Sequence, residues 1–423
     1  MSKNFMILYS CIWSIFIYNG CARDAEKILM EVVALNKNNP INFSLQVVEA
    51  DPKDNPFSKD SDALELCSMM EVRLADISEV AKVSASFSEL RSKLRERFGG
   101  KPTSLLVSKS DGIYRGSTYE SILGLSAYYH LIEIMKFARK NELLKGLALE
   151  PLKVSLYGEI YATSLSDFPY PASDNALYIG SVDTLMLLPV GDNDGLPVPM
   201  HEGVLAHEFH HRIFFYKVFI HDEDKKSWAR YKMRYEPKQN ELHSRSERLL
   251  AATDEALADI FAVVYTKLPN YLCLSLTTTK GEEVCKQRDL NGDYAKNATY
   301  DVLAGRHVYL GSLGSCGINS KNFTSANFNY YCLATVIAKA LYESVGGNLR
   351  ELENLMLPAI NRSLITIAKT LAKGADYDID IFFAALAEDV KSIDADLHHR
   401  LCEQLKIRFS SLVKKGRIPS CEL

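Results

Sequence analysis

Between Val204 and Phe219 the chain contains neither Pro nor Gly, is rich in apolar side chains, and carries His207-Glu208-Phe209-His210-His211. Such a stretch reads as a helix, and a helix places residues four apart on one face, one turn above the other. His207 and His211 then offer two imidazoles to a common point, with Glu208 beside them. Neutral imidazole nitrogen is a good ligand for Zn2+, and a catalytic zinc site keeps one coordination position for water. A carboxylate next to that water can take its proton during attack and later deliver it to a leaving group.

A second pair sits on another helix-like run, from about Ser246 to Thr266, which includes Asp254-Glu255-Ala-Leu-Ala-Asp259. Glu255 and Asp259 are again four apart, and Leu257, Ile260, Phe261 and Val264 supply an apolar surface for packing on a neighbouring helix. Alone, two such carboxylates would describe a solvated helix face. Facing the histidines, they complete a zinc site of His207, His211 and Glu255, one ion per chain. Asp259 is then the outer carboxylate that fixes an imidazole in its tautomer and orientation. His210, three residues after His207, is read as a supporting or pocket residue.

Together these residues resemble the gluzincin zinc metallopeptidases, the thermolysin-like clan. The resemblance implies His207, His211 and Glu255 as ligands, Glu208 as general base, and Asp259 as the partner of His207. It spans roughly residues 112–345, with specific motifs only at 207–211 and 255–259. Asp254 departs from the Asn usual before the ligand Glu, and His210 from the usual Gly or Thr. Asn175-Ala176-Leu177-Tyr178 is similar to the edge strand on which this clan pairs an extended peptide, so Asn175 and Ala176 are candidate substrate-binding residues. The Ala127–Leu131 segment resembles the long helix before the sheet, with His130 structural. Aligning Ala340-Leu341-Tyr342 with the clan's pattern puts Tyr331 at the position of the oxyanion donor; Tyr330 is adjacent and His307 is a rival.

The expected fold is α+β: a helix over Tyr119–Leu144 after an N-cap at Ser117, strands over Leu152–Tyr161 and Asn175–Leu188, then helices. The resemblance implies a zincin-like arrangement, with a small mixed sheet above the active-site helix and a mostly helical C-terminal half. Expected units are 1–21, a signal peptide; 22–110, an N-terminal region or pro-segment with a helix over Asp76–Phe98; 111–300, catalytic; and 301–423, a helical subdomain. Gly191–Gly195 reads as a tight polar turn and His398-His399 as solvent-facing. The expected function is a zinc-dependent endopeptidase acting on peptides or proteins. The alternatives are an exopeptidase or other zinc hydrolase with the same ligands, and a catalytically silent surface lipoprotein with a structural metal.

A formal net charge of −4 over 423 residues gives no basic field for nucleic acid. Lys3 precedes an apolar run from Phe5 to Tyr18, followed by Asn19-Gly20-Cys21. The run is short for a membrane span and fits an export signal. Gly before Cys resembles the cleavage box of bacterial lipoproteins, in which Cys21 would carry the lipid anchor to a membrane. The expected location is periplasmic or cell-surface, or else secreted. Beyond Cys67, the later cysteines fall by order into Cys273–Cys285, Cys316–Cys332 and Cys402–Cys421, as an oxidising compartment permits, although six cysteines allow other pairings. The Asn-x-Ser/Thr sites at Asn42, Asn297, Asn322 and Asn361 are no more than chance supplies.

Overall fold

The computed structural model describes residues 28–36, 39–50, 64–68, 70–103, 105–161, 175–189, 200–220, 241–274, 285–286, 288–292, 299–300 and 331–422. The expectations for residues 1–21, Gly191–Gly195, His307 and Tyr330 lie outside these.

The fold is mixed α+β. In chain order the elements are β1 (Ile28–Asn36), β2 (Asn39–Ala50), β3 (Leu64–Ser68), β4 (Glu71–Arg73), α1 (Leu74–Val83), α2 (Phe87–Phe98), β5 (Lys101–Pro102), β6 (Val107–Ser110), β7 (Ile113–Gly116) and α3 (Tyr119–Lys140). Then follow β8 (Leu152–Leu156), β9 (Glu159–Tyr161), β10 (Ala176–Ile179), β11 (Thr184–Leu187), α4 (Glu202–Phe215) and α5 (Glu241–Thr266). The C-terminal part has α6 (Tyr331–Ser344), α7 (Leu357–Ala372), α8 (Ile379–Ile393) and α9 (Ala395–Arg408). No helix among the described residues is long and apolar enough to cross a membrane.

Local chemistry sets several boundaries differently from the sequence reading. The helix expected over Asp76–Phe98 is two, because Ser86 caps the second: its side chain accepts from the Glu89 N–H while Glu89 accepts from the Ala85 N–H. That reciprocal pair is a capping box, which starts a new helix. The long helix α3 is capped by Thr118, one residue after the expected Ser117. The run Asn175–Leu188 is a hairpin, β10 and β11, turned at Gly180–Asp183, with Asp183 at a left-handed φ of 50°. Asp tolerates that conformation better than most side chains.

A five-stranded sheet runs in the order β10-β11-β8-β3-β5, antiparallel at its two ends and parallel between β11, β8 and β3. A separate sheet, β2-β1-β7-β6, packs on α3, where Met30 and Val32 meet Leu125. β3 is an interior strand, so residues 64–102 are built into the same sheet as 152–187. The expected division at residue 110 therefore cuts through a sheet. Nor do the C-terminal helices stand apart: one continuous core joins α3, β8, α4, α5 and α6 to α9.

Candidate metal centre

The helix α4 is buried on almost every side, with His211 the exception among its last turns. Its first turn is capped by His201, whose Nδ1 accepts from the Gly203 and Val204 N–H groups at 3.1 and 3.2 Å. Gly203 is needed there because a Cβ would lie 2.8 Å from the Tyr271 ring. Helix α5 packs along α4 and brings its carboxylates against the two imidazoles.

Three side chains converge. Nε2 of His207 lies 3.1 Å from Nε2 of His211 and 3.1 Å from Oε2 of Glu255, and His211 Nε2 is 3.7 Å from Glu255 Oε1. A tetrahedral ion with bonds of about 2.0–2.1 Å separates its ligands by roughly 3.3 Å. The other ring nitrogens are engaged: His207 Nδ1 is 3.1 Å from Asp259 Oδ1, and His211 Nδ1 is 2.8 Å from Asp254 Oδ1. With the rings neutral, as metal binding requires, and both Nδ1–H groups turned to these carboxylates, the Nε2 lone pairs would face each other and Glu255. Such an arrangement of acceptors calls for a cation among them. Charge points the same way, since among the described residues Glu208, Asp254, Glu255 and Asp259 are accompanied by one guanidinium, Arg288. With no metal bound, burial pushes the His211 imidazole down, but Asp254 and Glu255 beside it carry it up to about 10. The donor set thus fits a divalent ion at His207, His211 and Glu255.

Glu208 is within ligand distance of both imidazoles, but its Oε2 is occupied otherwise, accepting the Tyr178 backbone N–H at 2.8 Å. Burial raises its carboxyl above the ordinary range. Tyr178 belongs to the edge strand β10. Because the Leu188 N–H bonds the Asn175 carbonyl, the backbone groups of Ala176 and Tyr178 face away from the sheet. Asn175 is exposed and its side chain accepts from the Ala176 N–H, while Ala176 is buried.

Asp259 is held by more than His207. Tyr271 donates to its Oδ1 at 2.6 Å, and Arg288 contacts both oxygens, with Nε 3.1 Å from Oδ2 and Nη2 on Oδ1. Burial alone would raise the Asp259 carboxyl, but Arg288 holds it well below the carboxylate range. The same Nη2 is 3.4 Å from Glu255 Oε2 and from His207 Nε2. Tyr331, at the start of α6, lies behind this group, its ring centroid 4.8 Å from the Arg288 guanidinium carbon. Arg288, with Tyr331 over its face, is thus a donor beside the candidate ligands, as is Tyr271, whose hydroxyl is 3.0 Å from His207 Nδ1. His210 is buried against Phe261 at 5.5 Å, and burial keeps it neutral.

Tyr271, Asp254 and Arg288 are absent from the sequence reading as site residues. A signal existed in the cysteines: Cys273 and Cys285 are bonded, and this bridge ties Tyr271 to Arg288, the two residues that grip Asp259. Cys402–Cys421 is also bonded, so the adjacent group with His398 has no free thiolate for a metal. Cys332 is bonded as well, its expected partner Cys316 lying outside the described residues, and Cys67 is free and buried. His399 is solvent-facing beside Glu403, whereas His398 is turned toward Cys402.

No family model matches the chain, and no curated protein matches it significantly.

Proposed function

We propose that this chain is a zinc-dependent endopeptidase with a zincin-like arrangement of sheet edge and metal helix, similar to the gluzincins. The observation that carries this reading is the pairing of converged His207, His211 and Glu255 donors with a buried Glu208 bonded to an edge-strand N–H. A structural metal site has no use for such a carboxylate. A zinc ion held by these three residues supplies Lewis acidity and a bound water of lowered pKa.

The chain's own residues do the rest. Glu208 Oε2 is held by Tyr178, leaving Oε1 to accept a proton from water and return it to the leaving amine. Its burial raises its basicity, which suits that exchange. The outward carbonyls of Ala176 and Tyr178, whose N–H groups are held by Asn175 and Glu208, can accept from an extended peptide, placing its backbone beside Glu208. Arg288, fixed by Asp259 and Tyr331, offers N–H donors to the negative charge that develops on the carbonyl oxygen. Export is part of the same reading: the Cys273–Cys285 and Cys402–Cys421 bridges suit an oxidising compartment, with attachment through Cys21.

The test is elemental analysis and casein hydrolysis on the purified chain and its Glu208→Gln variant. We expect about one zinc per chain in both. Hydrolysis should be lost to chelator and reduced about 100- to 10,000-fold by Glu208→Gln. Absence of metal from both preparations, or undiminished hydrolysis by the variant, overturns the proposal.

A further inference from the structure

On the side of α4 away from the metal ligands, the residue after His211 enters a different environment. Arg212 is 1% exposed and pairs with Asp183 through Nε and Nη2, both at 2.9 Å, while Nη2 also reaches the Glu150 carbonyl at 2.6 Å. Its Nη1 is buried and has no acceptor among the described residues. A guanidinium nitrogen without a partner in the interior is costly, and its persistence calls for a ligand.

That guanidinium lines a cavity of about 490 Å³. Arg212 and Met135 are the buried members of the lining and form its floor, and Leu144, Leu147 and Leu149 make an apolar wall. The mouth carries Glu142, Lys145, Glu150 and Arg139, all exposed. Glu142 is paired with Lys145 at 3.1 Å and Glu150 with Arg95, whereas Arg139 has no ion pair among the described residues. Asp183 offsets Arg212, so the cavity holds one uncompensated positive charge at its mouth and a buried guanidinium among its lining residues. Its walls are apolar in between.

We infer that this cavity is a binding site for a carboxylate borne on a short apolar chain. The carboxylate is drawn to the Arg212 guanidinium, the chain lies against Met135 and the three leucines, and Arg139 supplies the balancing charge. Planar guanidinium is the group suited to a carboxylate, and apolar lining with few placed polar groups is typical of small-ligand pockets. A fatty acid and a peptide ending in an apolar residue share this chemistry. The inference does not depend on the peptidase reading.

Calorimetric titration of the full-length chain tests it, with octanoate, N-acetylleucine and octanamide as probes, each with and without EDTA. We expect saturable binding of one or both acids, unaffected by EDTA and at least about tenfold tighter than the amide, as a charge-assisted bond requires. Preference for octanoate identifies a lipid-derived ligand, and preference for N-acetylleucine a peptide terminus. Leu147→Asp and Arg139→Glu, at partly and fully exposed positions, should each weaken binding by at least tenfold or so. Arg212→Lys should do the same if it folds. No binding of either acid, binding abolished by EDTA, equal binding of octanamide, or binding unchanged in Leu147→Asp and Arg139→Glu overturns the inference.

Discussion

At the scale of single residues, the proposed metal centre would depend on groups that do not touch the metal. Asp254 lies 2.8 Å from His211 Nδ1 and Asp259 3.1 Å from His207 Nδ1, so under the proposed function each would decide which imidazole nitrogen keeps its lone pair for the ion. We expect Asp254→Asn and Asp259→Asn each to lower zinc affinity about 10- to 100-fold, measured by competition with a chromophoric chelator. Tyr271→Phe removes one of several bonds to Asp259 and should cost less. Unchanged affinity in both Asn variants would remove these carboxylates from the account. This part of the site was only half legible. His207, His211, Glu255 and Asp259 could be grouped because each pair lies four apart on a helix, where spacing alone fixes the shared face. Asp254 is next to a ligand in sequence, but on a helix adjacent residues diverge, and its reach to His211 depends on how α5 is rotated against α4. Arg288 and Tyr271 approach from outside both helices, where no periodicity operates.

At the scale of elements, one buried cluster sets the edge strand against the metal helix. Asp183, in the turn between β10 and β11, accepts from Arg212 of α4, from Tyr216 just beyond it, and from Tyr178 of β10, the tyrosines at 2.8 Å. Burial would raise the Asp183 carboxyl, but the Arg212 charge holds it below the ordinary range. Asp183→Asn leaves Arg212 buried without a counter-charge and should destabilise the protein by about 3–5 kcal/mol in urea unfolding. Tyr178→Phe removes one hydrogen bond and should cost about 1 kcal/mol. It should also raise KM for peptide more than it lowers kcat, since it loosens the strand and leaves Glu208 in place. Equal unfolding free energies for wild type and Asp183→Asn would show that the cluster does not clamp the hairpin. The sequence showed the strand-like character of Asn175–Leu188 but not this clamp, because the partners are joined only by tertiary packing.

At the scale of the whole molecule, buried imidazoles make stability depend on pH. Burial takes His130 and His201 down to about 4 from an ordinary value of 6.5, and His210 well below it. Between these values the unfolded chain binds the protons that the folded chain refuses. The contribution of these residues is therefore complete above about pH 6.5 and lost as pH falls toward 4. The His130 and His201 shifts each correspond to about 3 kcal/mol at most. His130, which holds β1 to α3 through the Val33 carbonyl at 2.7 Å, is the cleanest to test. Thermal melts from pH 7 to 4.5 should show a shallower fall in Tm for His130→Gln than for wild type, and parallel curves would remove His130 from the pH response. The α+β class could be read from the order of periodic segments, whereas the interweaving of the N-terminal strands could not. Pairing of β3 with β8 joins segments some eighty residues apart, and short strands carry no mark of their partners.

That interior position of β3 bears on when the protein becomes active. Synthesis delivers Leu64–Ser68 long before Leu152–Leu156, so the earlier strand must wait for its neighbour while the chain grows. His207 and His211 emerge later still, then Glu255, and the helix that backs Arg288 begins only at Tyr331. A chain made only as far as Glu255 lacks Tyr271 and Arg288, which hold Asp259, and Tyr331, which backs Arg288. Under the proposed function, a hydrolase of this kind stays silent during its own manufacture through the sequence of arrivals alone.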